Sequence, residues 1–302
     1  MADRRDLLVL VNPAAGGGRA ARLWPTVRQE AQRHFAFEEH WTRRQGEATT
    51  VARQAAQGGV RRILAVGGDG TLQEIANGLP DSRVALAALP VGTGNDFARV
   101  AGWTRPVREL LAGLAAGNSR IVDLGTVNGR RYLLVAGAGF DAAVAHKVHG
   151  MEGKGRGTLP YLATAVRQAF RFHPPALTLQ LDDRLASAPR PLLMAAVANA
   201  PSYAGGMRIC PPARLDDGLL HILTVGAGSG WYTLRLLGRV YRGAHLHDPG
   251  VHVASAVRVC IDGPVDVPLH ADGEPVGHLP AVFEVLPGAL RVWLSARRPT
   301  GV

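Results

Sequence analysis

Three glycine-bearing stretches carry residue types suited to holding phosphate: NPAAGGGR at 12–19, VGGDGT at 66–71 and PVGTGNDFAR at 90–99. Glycine lets the main chain approach a ligand closely, so that N–H groups donate to phosphate oxygens, and a helix amino terminus adds favourable potential. One such loop is ordinary strand-to-helix turn chemistry. Three of them, each following an apolar run, make the pattern of a nucleotide site. None contains the GxxxxGKS/T phosphate loop, and the first is not a GxGxxG dinucleotide fingerprint. Asp69 adds a constraint. A carboxylate among phosphate-facing amides repels phosphate unless a divalent cation or a transferred proton lies between them, and Mg2+, a hard ion held through oxygens and water, resolves that conflict. An Asx turn or a helix cap is the competing role for Asp69.

The elements that must position these loops can be read from periodicity. Apolar runs at 7–11, 61–67 and 84–90, with a further candidate at 35–42, read as strands, and 20–34, 47–57 and 72–79 read as helices between them. Strands alternating with helices and buried on both faces imply an open, mostly parallel α/β sheet, whose polar loops gather at the carboxyl ends of its strands. A further helix over VRELLAGLAAG precedes a change of character near residue 120. Strand candidates then dominate, at 132–140, 176–182, 191–200, 219–225, 257–261 and 281–286, interrupted by helix candidates around 158–172 and 229–243. The expected organisation is a domain over 1–120, completed by 288–302, and a mainly β domain over 121–287.

A chain of 302 residues has room for about two domains. Its formal charge of +10 and pI near 10.6 suit nucleic acid, an anionic membrane surface or phosphorylated small molecules. The arginines are scattered, without a long basic block or zinc-finger spacing, so nucleic acid is not an expected partner. Cys210 and Cys260 lack metal-ligand spacing and suit burial in a reducing compartment. The run at 7–11 meets Asn12-Pro13 at once, which reads as a first buried strand rather than a signal peptide, and no later run is long enough to span a bilayer. The expectation is a cytoplasmic protein, with peripheral contact at the inner face of the cell membrane and a homodimer left open.

The stretches VNPAAGGGR, VGGDGTLQEIANGL, LPVGTGNDFARVAG, IVDLGTVNGRRYLLVAGAGFDA, PPARLDDGLLHILTV and HADGEP occur in an order that resembles bacterial members of the diacylglycerol kinase catalytic-domain family, which also includes sphingosine and ceramide kinases. They span nearly the whole chain. The resemblance implies an N-terminal α/β nucleotide-binding domain like that of NAD kinases, a C-terminal β-sandwich-like domain, ATP between the two, and a chain end that returns to the first. It carries the nucleotide and Mg2+ loop onto Gly67, Gly68, Asp69, Gly70 and Thr71. A second phosphate-proximal loop falls on Gly92, Thr93, Gly94, Asn95 and Asp96, and a first on Asn12, Pro13, Gly16 and Gly17. Arg19 stands as a phosphate neutraliser or as a solvated helix-start arginine.

On the acceptor side, the resemblance implies a structural Mg2+ at the turn containing Asp216 and Asp217, with Asp216 favoured, and assigns Glu274 as the base for a lipid hydroxyl. That role is sound chemistry, since an alcohol is a poor nucleophile until its proton is taken at the moment of attack. Asp272 either orients the turn or joins the metal–water network. Arg235, Arg239 and Arg242 share helical spacing opposite Leu234, Leu236, Leu237, Val240 and Tyr241. Such a helix meets anionic headgroups or turns its apolar face inward. The expected activity is an ATP-dependent lipid kinase acting on diacylglycerol or a related lipid alcohol, with Mg2+ as cofactor. An NAD or sugar kinase and a non-catalytic nucleotide- or lipid-binding regulator are the alternatives.

Overall fold

The structure is a computed structural model that describes residues 6–79, 83–150 and 158–294. It divides into two compact units, Met1–Val122 with Gly288–Val302, and Asp123–Pro287. The expected return of 288–302 lies outside the described residues beyond Leu294.

The first unit runs β1 (Leu7–Val11), α1 (Ala15–Gln32), β2 (Glu38–Trp41), α2 (Glu47–Gln57), β3 (Arg62–Gly67), α3 (Asp69–Gly78), β4 (Ala85–Pro90), α4 (Asp96–Val100) and α5 (Val107–Ala115), and the chain leaves it within β5 (Ser119–Val127). β1 pairs in parallel with β2 and β3, and β3 with β4. Every residue of β1 is buried, as are nearly all of β3 and β4, which is what continuous apolar runs dictate in a parallel sheet covered on both faces. β2, with the sequence EEHW, is largely exposed, as suits a polar edge strand. The chain leaves β1 for β2 on one side and later returns to β3 on the other. The loops after β1 and β3 therefore diverge at a topological switch point, where open α/β sheets bind ligands. The helix expected from residue 20 has its assigned start at Ala15, but Gly16, Gly17 and Gly18 have φ of +62°, +65° and +85°, so regular right-handed geometry begins only after them.

The second unit continues with β6 (Arg130–Tyr132), β7 (Val135–Gly139), α6 (Phe140–His149), α7 (Thr158–Ala169), β8 (Ala176–Leu181), β9 (Arg190–Ala198), β10 (Leu220–Gly226), α8 (Gly230–Val240), β11 (Val251–Ala256), β12 (Arg258–Asp262), β13 (Pro268–Ala271), β14 (Glu274–His278) and β15 (Ala281–Trp293). One antiparallel sheet has the order β14–β13–β7–β9–β10–β11. β8, β12 and β15 form the centre of the other, to which β5 and β6 add. Alternate residues of both sheets meet in one core, among them Ala136 and Ala138, Ala195 and Val197, Val259 and Ile261, and Ala281 and Phe283. This is a mainly β unit of sandwich type.

Two local expectations change, at 132–140 and at the end of the last strand, while the turn expected at HADGEP is given its setting. The run 132–140 is not one strand: Gly139, at φ +107°, turns the chain out of β7 into helix α6. HADGEP is the bend of the β13–β14 hairpin. β15 runs well past residue 286, and its end returns to the first unit, where Arg291 and Val292 pair in parallel with Ala85 and Leu86 of β4. There Trp293 donates from Nε1 to the Leu114 carbonyl at 2.8 Å, and its own carbonyl accepts from Trp103 Nε1 at 2.9 Å. No helix among the described residues is long and apolar enough to cross a membrane.

Candidate functional site

In the first unit the three glycine loops interlock through their backbones. Asn12, just past β1, donates from Nδ2 to Thr71 Oγ1 at 2.9 Å, tying the exits of β1 and β3 together at the switch point. A Cβ on Gly16 would lie 2.0 Å from the Val91 carbonyl oxygen, and one on Gly68 would lie 2.9 Å from Gly92 Cα. Side chains at these positions would force the loops apart. Gly67 is likewise closed off, by the Thr71 side chain at 2.6 Å from its would-be Cβ. Gly17, Arg19, Gly70 and Thr93 are exposed, and Pro13 is half-buried.

Asp69 opens α3, yet its carboxylate serves a different helix. Oδ2 accepts from the Asp96 amide at 3.1 Å and Oδ1 from the Phe97 amide at 3.0 Å, capping α4 from another loop. The Asp96 carboxylate lies beside it: a Cβ on Gly94 would be 3.0 Å from an oxygen of each acid. Burial raises the Asp69 pKa above the usual carboxylate range; the Phe97 amide pulls it back, and the negative charge of Asp96 pushes it up again. Arg99, which sequence reading passed over, donates from Nη1 to Asp96 Oδ1 at 2.6 Å and from Nη2 to the Gly94 carbonyl at 3.1 Å. Asn95, at φ +52°, donates to the Gly92 carbonyl at 2.8 Å, while its buried Oδ1 has no hydrogen-bond partner. Two carboxylates and an unpartnered amide oxygen are hard donors, few in number. That fits Mg2+, which takes one or two protein carboxylates and completes its shell with water and substrate phosphates. No group of three or more His, Cys, Asp or Glu side chains able to hold a metal occurs among the described residues, so a closed protein cage is not what this site offers.

In the second unit Asp272 sits at the β13–β14 bend with φ +51°. Its carboxylate accepts three consecutive main-chain N–H groups, from Leu133 at 2.7 Å, Leu134 at 2.8 Å and Val135 at 3.1 Å, and its own N–H donates to the Val135 carbonyl. The expected metal-network role thus meets a carboxylate already holding backbone. Glu274, one residue past the bend, has His149 Nδ1 at 3.2 Å from Oε2. Behind the bend lies a cluster that the sequence did not reveal. His270 Nδ1 accepts from the Gly273 amide at 3.3 Å, which fixes Nε2 as the donor to Asp141 Oδ2 at 2.8 Å, and the Tyr203 ring stacks on the imidazole. Both His270 and Asp141 are buried.

At the 213–218 turn, Asp217 accepts from the Leu219 amide at 3.1 Å and contacts His221 Nε2 at 2.9 Å, while Asp216 lies 3.5 Å from Arg214 Nε. The turn is anchored by the buried Asp123, whose Oδ2 accepts from the Gly218 amide at 2.8 Å. On α8, Leu236 and Val240 turn inward, and Arg235 is bound to Asp248 at 2.7 Å with Arg239 at 3.8 Å from the same oxygen. Of the three arginines for which headgroup contact and a solvated face were both open, Arg235 and Arg239 thus share one buried carboxylate, and the apolar face turns inward. Beneath α7 and α8 is an apolar cavity lined by Phe140, Ala165, Leu193, Met194, Leu236 and Leu237, with Asp141 at its wall.

Residues 6–127 match the diacylglycerol kinase catalytic domain, and residues 134–294 match the YegS C-terminal NAD kinase beta sandwich-like domain. A protein of Pseudomonas aeruginosa (strain UCBPP-PA14) named "Probable lipid kinase YegS-like" is 32% identical, over 98% of this chain and 97% of its own. "Diacylglycerol kinase" of Bacillus subtilis (strain 168) is 29% identical over 91% of each. The crystal structure of a diacylglycerol kinase from Bacillus anthracis str. Sterne superposes with a TM-score of 0.75 at 22% identity, covering 98% of both chains, a likeness of fold.

Proposed function

The chain belongs to the lipid kinase family that joins a diacylglycerol kinase catalytic domain to a YegS-type C-terminal domain, and on that premise we propose that it transfers the γ-phosphoryl group of Mg-ATP to the hydroxyl of diacylglycerol or a related lipid alcohol. The observation that carries this reading is the Asp69 carboxylate, fixed by the Asp96 and Phe97 amides beside a second carboxylate among loops that only glycine allows to close. Asp69, Asp96 and Asn95 are the residues that would hold Mg2+, which when bound offsets charge on the triphosphate. The amides of the three loops face the phosphates, with Arg19 at their rim.

Glu274 accepts the hydroxyl proton as the alcohol oxygen bonds to the γ-phosphorus and the bridging bond to ADP breaks. Asp272 holds the bend from which Glu274 projects, and its three amide partners support that positioning role over metal ligation. Alignment and charge stabilisation carry the catalysis. The apolar cavity supports a hydrocarbon-bearing acceptor, and phosphatidate is the product from diacylglycerol. A second Mg2+ at Asp216 finds less support, since Asp217 is engaged with His221 and Leu219, and no step is assigned to it. The formal charge of +10 supports contact with the anionic inner face of the membrane, and two cysteines without paired spacing support a reducing, cytoplasmic setting.

The test incubates purified protein with γ-labelled ATP and a panel of diacylglycerol, sphingosine, ceramide, NAD and sugars. Label is expected in a lipid phosphate and only with Mg2+. Label in NAD or a sugar alone, or in none of the panel, overturns the reading.

A further inference from the structure

The outer face of α7 and the start of α8 present an apolar surface that the catalytic reading does not use. Leu162, Val166 and Phe170 recur every fourth residue and form one row, at 37%, 42% and 53% exposure. Trp231, 75% exposed, extends it: its ring meets Phe170 edge to face at 5.3 Å. That contact depends on Gly230, where a Cβ would lie 2.4 Å from Phe170 Cδ1 and 2.9 Å from the Ala169 carbonyl oxygen. Beside the apolar row runs a second exposed row, Ala163, Arg167 and Arg171. Residues 158–181 contain no Asp or Glu. The inner face of α7 is already committed to the protein interior, through Thr164, Ala165, Gln168 and Ala169.

Single exposed apolar side chains are ordinary, but a contiguous row ending in an exposed Trp–Phe pair marks a surface with an occupant. Its chemistry selects one. An apolar row flanked by arginines and free of acid is the pattern of a helix lying in a membrane interface, with Trp at the headgroup level and cations toward anionic lipid. A second copy meeting this face about a two-fold axis would set Arg167 and Arg171 against their own counterparts. The same two helices line the apolar cavity on their inner side, so docking here would bring that cavity toward the bilayer.

We propose that Leu162, Val166, Phe170 and Trp231 enter the boundary between headgroups and acyl chains of an anionic phospholipid bilayer, with Arg167 and Arg171 taking the headgroup phosphates. The biological purpose of this surface rests on the lipid-kinase reading; its detection does not.

The experiment sediments the full chain with vesicles of phosphatidylcholine alone or mixed equally with phosphatidylglycerol. Replacing Val166→Ser, Phe170→Ser and Trp231→Ser together lowers binding to both by at least about tenfold. Replacing Arg167→Gln and Arg171→Gln lowers it only in the anionic mixture, by about fivefold per arginine, and removes the salt dependence of that preference. In the otherwise unaltered chain, brominated acyl chains quench Trp231 fluorescence, a signal lost in Trp231→Phe; this readout does not depend on the triple variant folding. Absence of that quenching, or triple-variant binding equal to the parent, overturns the proposal. So does a triple variant that loses self-association while keeping its vesicle binding, which would make the face a contact between copies. A chain that docks through these residues yet phosphorylates no lipid alcohol refutes the kinase reading and leaves the surface standing. One that phosphorylates dispersed short-chain diacylglycerol, but whose triple variant still docks, refutes the surface alone.

Discussion

Asp69 and Asp272 begin the same dipeptide, Asp-Gly, and both accept main-chain N–H groups, yet they are built for different ends. Asp272 accepts three consecutive amides, so its lone pairs and charge are taken up in holding one hairpin bend to residues 133–135. Asp69 accepts the Asp96 and Phe97 amides, lies beside the buried Asp96 carboxylate, and has its pKa pushed up chiefly by burial. At Asp272 one carboxylate is taken up by one bend; at Asp69 two carboxylates lie side by side, with Arg99 bonded to Asp96. A carboxylate's role is thus set by the donors left over around it, and neighbouring sequence is a poor guide to that remainder.

The comparison can be sharpened first at Glu274, which the Asp272 bend carries. Glu274→Gln should lower single-turnover lipid phosphorylation by about 10²–10⁴-fold while nucleotide affinity is unchanged, because an amide is no base at neutral pH. Wild-type single-turnover rates across pH would remove Glu274 from the reaction. Next, Asp69→Asn should cost on the order of 10²–10³-fold in turnover and raise the Mg2+ needed for half-maximal rate. Unchanged Mg2+ dependence would erase the distinction between the two turns.

Asp272→Asn belongs to stability instead. Losing charge-assisted bonds to three amides should cost about 1.5–3 kcal/mol in denaturant unfolding, with no shift in Mg2+ dependence. A shift in that dependence would return Asp272 to the metal network. The smallest effect is a reversal of order. The folded-state pKa of Asp69 lies above its ordinary value, so its favourable contribution is full below the usual carboxylate pKa and is lost as pH rises through the raised one. In chelator at neutral pH, Asp69→Asn should therefore melt above the parent; with Mg2+ the parent should melt higher.

The fold class was legible because β1, β3 and β4 are apolar runs broken by polar, glycine-bearing loops, and β8, β9 and β12 are short runs between turns. Helix α6 was not, because the apolar run of β7 continues into it without a polar break and only the positive φ of Gly139 separates strand from helix. The residue types of the three glycine loops could be read, but not how the loops touch. Asn12 finds Thr71 across 59 residues, Gly16 closes on Val91, and His270 finds Asp141 across 129 residues. Such pairs obey no local period. For α8 the helical spacing was plain and the partner was not, since Asp248 lies beyond its end and binds the arginines that spacing alone would have sent to solvent.

The return of β15 to the first unit also sets a schedule for synthesis. A nascent chain contains all of Asp123–Pro287 before it contains the residues that pair with β4. Until translation passes Trp293, β4 is an open edge, and the Trp103 indole N–H and the Leu114 carbonyl lack the partners that Trp293 brings. The inserted unit can mature on the ribosome while the split one waits. Prematurely terminated chains thus carry β4 with an unpaired edge and without the two indole contacts that Trp293 makes.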